Sequence, residues 1–184
     1  MRKIKTFSEL RNIEKMNDIN DGSRSLFESV VSNEVLDALT DWVSSGSDGV
    51  LIGGLALSYY VKPRSTMDVD VLFLSPEQIP DSVPDFKRHR KGAFQHNKTH
   101  VEIEVLTPKT INITTELVQS VIDTSIVKDG IRIASPSALI ALKLGRFSRQ
   151  DQADIEALTN SCEIDLTPFN LSPELIEKYS QFKV

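Results

Sequence analysis

A chain of 184 residues, 40% hydrophobic, is long enough to bury a proper core as one domain or as one compact domain with helical additions. Its formal net charge of −5 argues against a general nucleic-acid coat protein, which would be basic, and is compatible with a metal site made of carboxylates. Cys162 is the single cysteine, so neither an internal disulfide nor a cysteine-based zinc site is expected. The charged start MRKIKTFSELRNIEK lacks a signal-peptide apolar core, and no apolar run is long enough to span a bilayer. A soluble cytoplasmic protein with no membrane partner is therefore expected.

In chain order, Phe7, Leu10 and Ile13 have helical spacing and predict a helix from Thr6 to about Met16. The turn-rich NDINDGS of residues 17–23 breaks it. A second helix is expected from about Ser25 to Ser44, with Leu26, Phe27, Val30, Val31, Val35, Leu36, Leu39 and Val43 forming an apolar face. Residues 1–48 hold no catalytic candidates and are expected to pack on a core spanning residues 49–134, followed by a helical part from 135 to 184.

The stretch from Val50 to Leu74, VLIGGLALSYYVKPRSTMDVDVLFL, organises the rest. It reads as strand, glycine turn, helix over Leu55–Val61, turn at Lys62-Pro63, and strand. Side chains alternate along a strand, so Asp68 and Asp70 share one face while Val69, Val71 and Phe73 take the other. Two carboxylates at the start of an apolar strand repel each other and are costly to desolvate. A divalent cation removes that cost, and Mg²⁺ prefers carboxylate and phosphate oxygens. The Gly53-Gly54 turn can bring bare backbone amides up to an anion. A glycine pair alone marks a tight turn, and a lone Asp-x-Asp often sits on a solvated strand end. Together, with Arg64 and Thr66 just before the acids, they point to a nucleotide enzyme.

Ser75-Pro76-Glu77-Gln78 suits a short helix, and Asp81–Pro84 a loop. Phe86–Gln95 and His100–Leu106 read as the two arms of a hairpin joined at residues 96–99. Glu102 and Glu104 share a face of the second arm, and the strand pattern does not separate them as a third metal ligand. Lys87-Arg88-His89-Arg90-Lys91, near His96, Lys98 and His100, is the basic cluster of the chain. It reads either as an acceptor-binding surface, for example for RNA phosphates, or as a charge-protected edge strand. The histidines lack zinc-ligand spacing and are expected on the surface. Asn112–Ile122 predicts a weak helix, and Ser125–Ala134 a tight hairpin with Asp129-Gly130 at its turn.

Ser135-Pro136 caps a helix running ALIALKLGRF, in which Lys143 stands among apolar positions and can snorkel outwards. Asp151 and Asp154 then lie one helical turn apart on one face, and Asp151 also suits an N-terminal dipole contact. Ser172-Pro173-Glu174 starts a last helix with Leu175 and Tyr179 on one face.

Gly53-Gly54 followed by Arg64-Ser65-Thr66-Met67-Asp68-Val69-Asp70 resembles the active-site signature of the DNA polymerase β-type nucleotidyltransferase superfamily. Within it, the chain is similar to small prokaryotic nucleotidyltransferases that include the AbiEii-type toxins of toxin–antitoxin systems. The resemblance covers about Gly49 to Leu158. It implies an α/β fold with a mixed-sheet core and helices before and after. It further implies transfer of a nucleoside monophosphate from an NTP to an acceptor hydroxyl. In that chemistry Asp68, Asp70 and Glu104 would hold two Mg²⁺ ions, with Mn²⁺ as a substitute, and Glu104 is preferred because the family expects an acid followed by apolar residues. Gly53 and Gly54 would hold the triphosphate, Arg64, Thr66 and Lys143 would contact the nucleotide, and Asp154 would anchor it or help with the acceptor.

The chain departs from the family's pattern in carrying glutamate rather than aspartate at 104 and glycine rather than serine at 54. Those departures are the support for an alternative, a catalytically inactive nucleotide- or partner-binding module on the same fold. The acceptor can be RNA, protein or a small molecule, with the basic cluster leaning towards RNA. A toxin would also have an antitoxin protein as partner.

Overall fold

The computed structural model describes residues 31–46, 49–61, 68–128 and 130–183. Arg64, Thr66, the expected helix over 6–16 and the first residues of the second helix lie outside them. Within them the second helix is shorter than its apolar pattern suggests: α1 spans Asn33–Ser44, with the Ser32 hydroxyl accepting from the Val35 amide. The remaining helices are α2 (Gly53–Leu57), α3 (Pro108–Ile111), α4 (Thr115–Asp123), α5 (Pro136–Arg146), α6 (Arg149–Ser161) and α7 (Pro173–Ser180). None of the helices formed by the described residues is long and apolar enough to cross a membrane.

The described strands form one mixed sheet: β1 (Val50–Ile52), β2 (Val69–Leu72), β3 (Phe86–Arg90), β4 (Ala93–His96), β5 (Glu102–Leu106), β6 (Ile126–Lys128) and β7 (Ile131–Ile133). Their order is β3-β4-β5-β2-β1-β7-β6. The fold is thus α/β with helices before and after the sheet, as the sequence implies. β1 runs antiparallel to β2, and β2 parallel to β5. One lateral row crosses five strands: Arg90 opposite Ala93, Ala93 opposite Glu104, Glu104 opposite Asp70, and Asp70 opposite Ile52. Residues paired across strands share a face, so this row carries the acids on one side of the sheet.

The other side is apolar. Val69, Val71, Ile103, Val105 and Phe94 are buried there, and Trp42 of α1 packs edge-on against Phe86 and Phe94 at 5.5 and 5.3 Å. Gly49 is required by this packing, because a Cβ would run into Val71 and Phe73.

Three expectations are corrected. The extended segment Phe86–Gln95 is two strands, folded back at Lys91-Gly92 with Gly92 at φ 82°. The basic run lacks the apolar alternation that would have marked the bend. The helix expected over Asn112–Ile122 starts later, as α4: Asn112 takes the left-handed conformation (φ 56°) that ends the preceding α3, and Thr114 then caps α4. His96 is buried rather than on the surface: its Nε2 lies 3.1 Å from Asp41 Oδ2 and its Nδ1 2.7 Å from the Thr99 hydroxyl. That pair of contacts ties α1 to the β4–β5 turn. His89 and His100 are exposed, as expected.

Candidate active site

Gly53 ends β1 and begins α2 with φ 70°, a conformation glycine tolerates and other residues resist. The Asp70 carboxylate rests against it, in the space a Cβ would fill. The glycine turn and the second acid of the Asp-x-Asp pair are thus in direct contact. Gly53→Ala is expected to cost about 1–3 kcal/mol from backbone strain and to push the Asp70 carboxylate aside. Denaturant unfolding measures the first effect, and an unchanged midpoint would remove glycine's structural necessity here.

Asp70 and Glu104 line a cleft of about 400 Å³ with Lys143, Arg146 and Asp151. The cleft has three kinds of wall. Asp70 on β2 and Glu104 on β5 form an acidic side, Lys143 and Arg146 on α5 a basic one, and Leu106, Ile111, Ile113, Leu139 and Leu142 an apolar one. That combination suits a small polyphosphate ligand carrying an apolar-faced ring.

Burial raises the Asp70 pKa to about 6, helped by the negative charges of Glu104 and Asp68, against the pull of Lys143 and Arg146. Asp68 itself is exposed just before β2. Glu104 is partly exposed and lies 3.5 Å from Arg90 Nη1. Glu102 holds the same arginine more tightly: Arg90 donates to it from Nε at 2.9 Å and from Nη2 at 2.6 Å. The sheet register therefore distinguishes the two glutamates, placing Glu104 directly beside Asp70.

Lys143 does not snorkel outwards. It is 8% exposed, its Nζ donating to Asp154 Oδ2 at 2.7 Å and lying 3.5 Å from Asp151 Oδ1. Asp154 also accepts from Gln150 Nε2 at 3.1 Å, and it stands behind Lys143 rather than along the cleft wall. Asp151 is fully buried and caps α6: its carboxylate accepts from the Ser148 amide at 3.0 Å and the Ser148 hydroxyl at 2.7 Å. Arg146 donates to both of its oxygens, at 2.8 and 2.7 Å. Burial pushes the Asp151 pKa up, but the Arg146 and Ser148 hydrogen bonds and the Lys143 charge outweigh it and hold the group well below the usual carboxylate range.

Arg146 is the cleft residue that sequence reasoning missed. It is a single arginine at a helix end, and only the fold shows that it faces the acids. Gly54 lies in α2 and accepts from the Ser58 amide, outside the cleft lining.

Among the described residues, no three His, Cys, Asp or Glu side chains form a group that could hold a metal by themselves. The donor set still fits Mg²⁺, which typically takes one or two carboxylates and completes its shell with substrate phosphates and water. Asp70, destabilised by its acidic neighbours, is the carboxylate such an ion would relieve most.

A mixed sheet with a glycine turn against a central-strand aspartate, and an acid on the neighbouring parallel strand, defines a nucleotidyltransferase-like core. Residues 26–172 match the family described as "Nucleotidyltransferase of unknown function (DUF6036)", and the chain belongs to that family. No curated protein matches the chain significantly.

Proposed function

We propose that this protein transfers a nucleoside monophosphate from an NTP to an acceptor hydroxyl on RNA, protein or a small molecule. The observation that carries the reading is one cleft with Asp70 and Glu104 on one wall and Lys143 and Arg146 on the other. Asp68, Asp70 and Glu104 would hold Mg²⁺, or Mn²⁺ in its place. When bound, the metal supplies charge neutralisation on the triphosphate and lowers the pKa of the attacking hydroxyl.

The chain's own residues supply the rest. Gly53 lets the triphosphate approach the backbone closely, with Gly54 beside it. Lys143 and Arg146, fixed by buried carboxylates, present positive charge where it builds up on the phosphates in the transition state. Arg64 and Thr66 are assigned to the nucleotide by the signature alone, and Asp154 acts by holding Lys143. The acceptor oxygen bonds to the α-phosphorus, the bond from that phosphorus to the β-bridging oxygen breaks, pyrophosphate leaves, and the acceptor proton passes to solvent.

The test is to follow the label. The protein, Mg²⁺ and each NTP, labelled at the α- or the γ-phosphate, are incubated with total RNA, cell protein or small-molecule extract. The reading expects α-label in one fraction and γ-label in pyrophosphate. Transfer of γ-label to the acceptor would instead make the protein a kinase.

The Arg90 contact to Glu104 favours a second reading, a nucleotide-binding module without transfer, because it engages the acid needed as third ligand. Mg²⁺-dependent NTP binding with no transfer to any fraction would support it. The likeness to AbiEii-type toxins supports a cytoplasmic toxin with a protein antitoxin. Growth arrest on expression, absent in Asp70→Asn, tests that role.

A further inference from the structure

We propose that the β3 edge and its hairpin ends form the docking track for a single-stranded RNA acceptor. The inference rests on the transferase reading and names its acceptor. Residues 86–100 contain five of the chain's 21 Lys and Arg, all three of its His and none of its 26 acids. Such segregation in a chain of net charge −5 calls for a polyanionic partner more than for general solubility.

The cations are not equivalent. Arg88 is spent locally, lying over the Phe94 ring at 4.9 Å and donating to the carbonyls of Pro80 and Asp81. Arg90 is engaged by Glu102. Lys87, Lys91 and Lys98 are exposed and have no ion pair among the described residues.

Their placement leads to the acids. Lys87 is opposite Gln95, which is opposite Glu102, so Lys87 shares the acidic face of the sheet. Arg90 ends the lateral row that contains Glu104 and Asp70, and Lys91 follows it at the hairpin tip. A strand of phosphates lying along β3 would therefore bring its end to the cleft.

A peptide adding to the sheet edge fits less well. The register shift between Arg88 and Arg90 and four consecutive exposed basic side chains are features that block strand pairing. A polynucleotide needs no edge hydrogen bonds, and it carries both phosphates for the lysines and a sugar hydroxyl for the transfer. Single-stranded ends are also where proteins usually recognise RNA.

The test uses the full chain and the double variant Lys87→Glu/Lys91→Glu, with fluorescence anisotropy of a labelled 12-nucleotide single-stranded RNA titrated at several salt concentrations. With three lysines on phosphates, the wild type should show a log–log salt slope of about −2. The variant should bind at least about ten-fold more weakly with a slope nearer zero, while its Mg²⁺-dependent thermal stabilisation by NTP and its melting temperature stay as in wild type.

Unchanged RNA binding in the variant, or none in the wild type, would overturn the proposal. Equal or tighter binding of DNA of the same sequence would overturn the assignment to RNA. Displacement of the RNA by polyglutamate at equal charge concentration would reassign the surface to an acidic protein. NTP stabilisation absent from both proteins, with RNA binding intact, would overturn the transferase reading and with it the acceptor role, while the binding surface stands.

Discussion

Asp70→Asn is expected to reduce nucleotidyl transfer by about 10²–10³-fold or more, and at the same time to make the metal-free protein more stable above pH 6. The second half follows from the position of Asp70, half-buried on β2 against Gly53 and beside Glu104 and Asp68. Its folded pKa of about 6 lies above that of an unfolded aspartate, so the folded state binds the proton more tightly. Stability therefore falls as pH rises from about 4 to about 6 and stays lower above it, by roughly 2–3 kcal/mol for a shift of about two units. Asparagine removes the charge and keeps the shape. In EDTA at pH 8 the variant should melt roughly 4–8 °C higher, and at pH 4 the two proteins should converge. A variant that melts lower than wild type at pH 8 would mean that the Asp70 charge is satisfied by partners, and that the site has no unmet need for a cation.

Asp151→Ala is expected to cost about 3–5 kcal/mol, the largest stability loss among the site residues. The buried carboxylate caps α6 through Ser148, clamps both donors of the Arg146 fork and shares Lys143 with Asp154. Alanine removes the α6 cap and the acceptor of the Arg146 fork, and leaves the buried Lys143 ammonium with Asp154 alone. The pH dependence has a definite sign. The native pKa is depressed, so the contribution is full above about pH 4 and fades as pH falls towards the native value. The gap in unfolding free energy between wild type and variant should therefore be widest near neutrality and narrow in acid. A loss below about 1 kcal/mol at pH 7 would show that Arg146 and Lys143 are held by something other than this carboxylate.

What the sequence revealed, and what it hid, follows from the range of the interactions. The order strand, helix, strand in this unit was legible because its signals are local (an apolar run, a glycine pair, and alternation from Asp68 to Phe73), but the helix spans Gly53–Leu57 rather than Leu55–Val61, because the glycine pair opens the helix instead of preceding it. Helix starts at Ser135-Pro136 and Ser172-Pro173 were legible for the same reason, since a cap is a contact across three residues. The choice between Glu102 and Glu104 was not, because it depends on register between β2 and β5, strands far apart in the chain. The burial of His96 is invisible without α1, whose Asp41 receives it. Arg146 was missed because an arginine in the last turn of a helix ordinarily serves the helix dipole, and only the α5–α6 packing turns it towards the acids. The bend at Lys91-Gly92 was hidden within a run of charges, where hydrophobic periodicity carries no signal.

Metal and nucleotide binding in the cleft is tested by a crystal structure grown with Mn²⁺ and an NTP analogue whose α,β-bridging oxygen is replaced by an imido group. An anomalous peak is expected in contact with the Asp70 carboxylate and the analogue's phosphates, with Lys143 and Arg146 facing the triphosphate from the opposite wall. Manganese bound elsewhere, or the analogue seated outside this cleft with Asp70 untouched, would contradict that expectation.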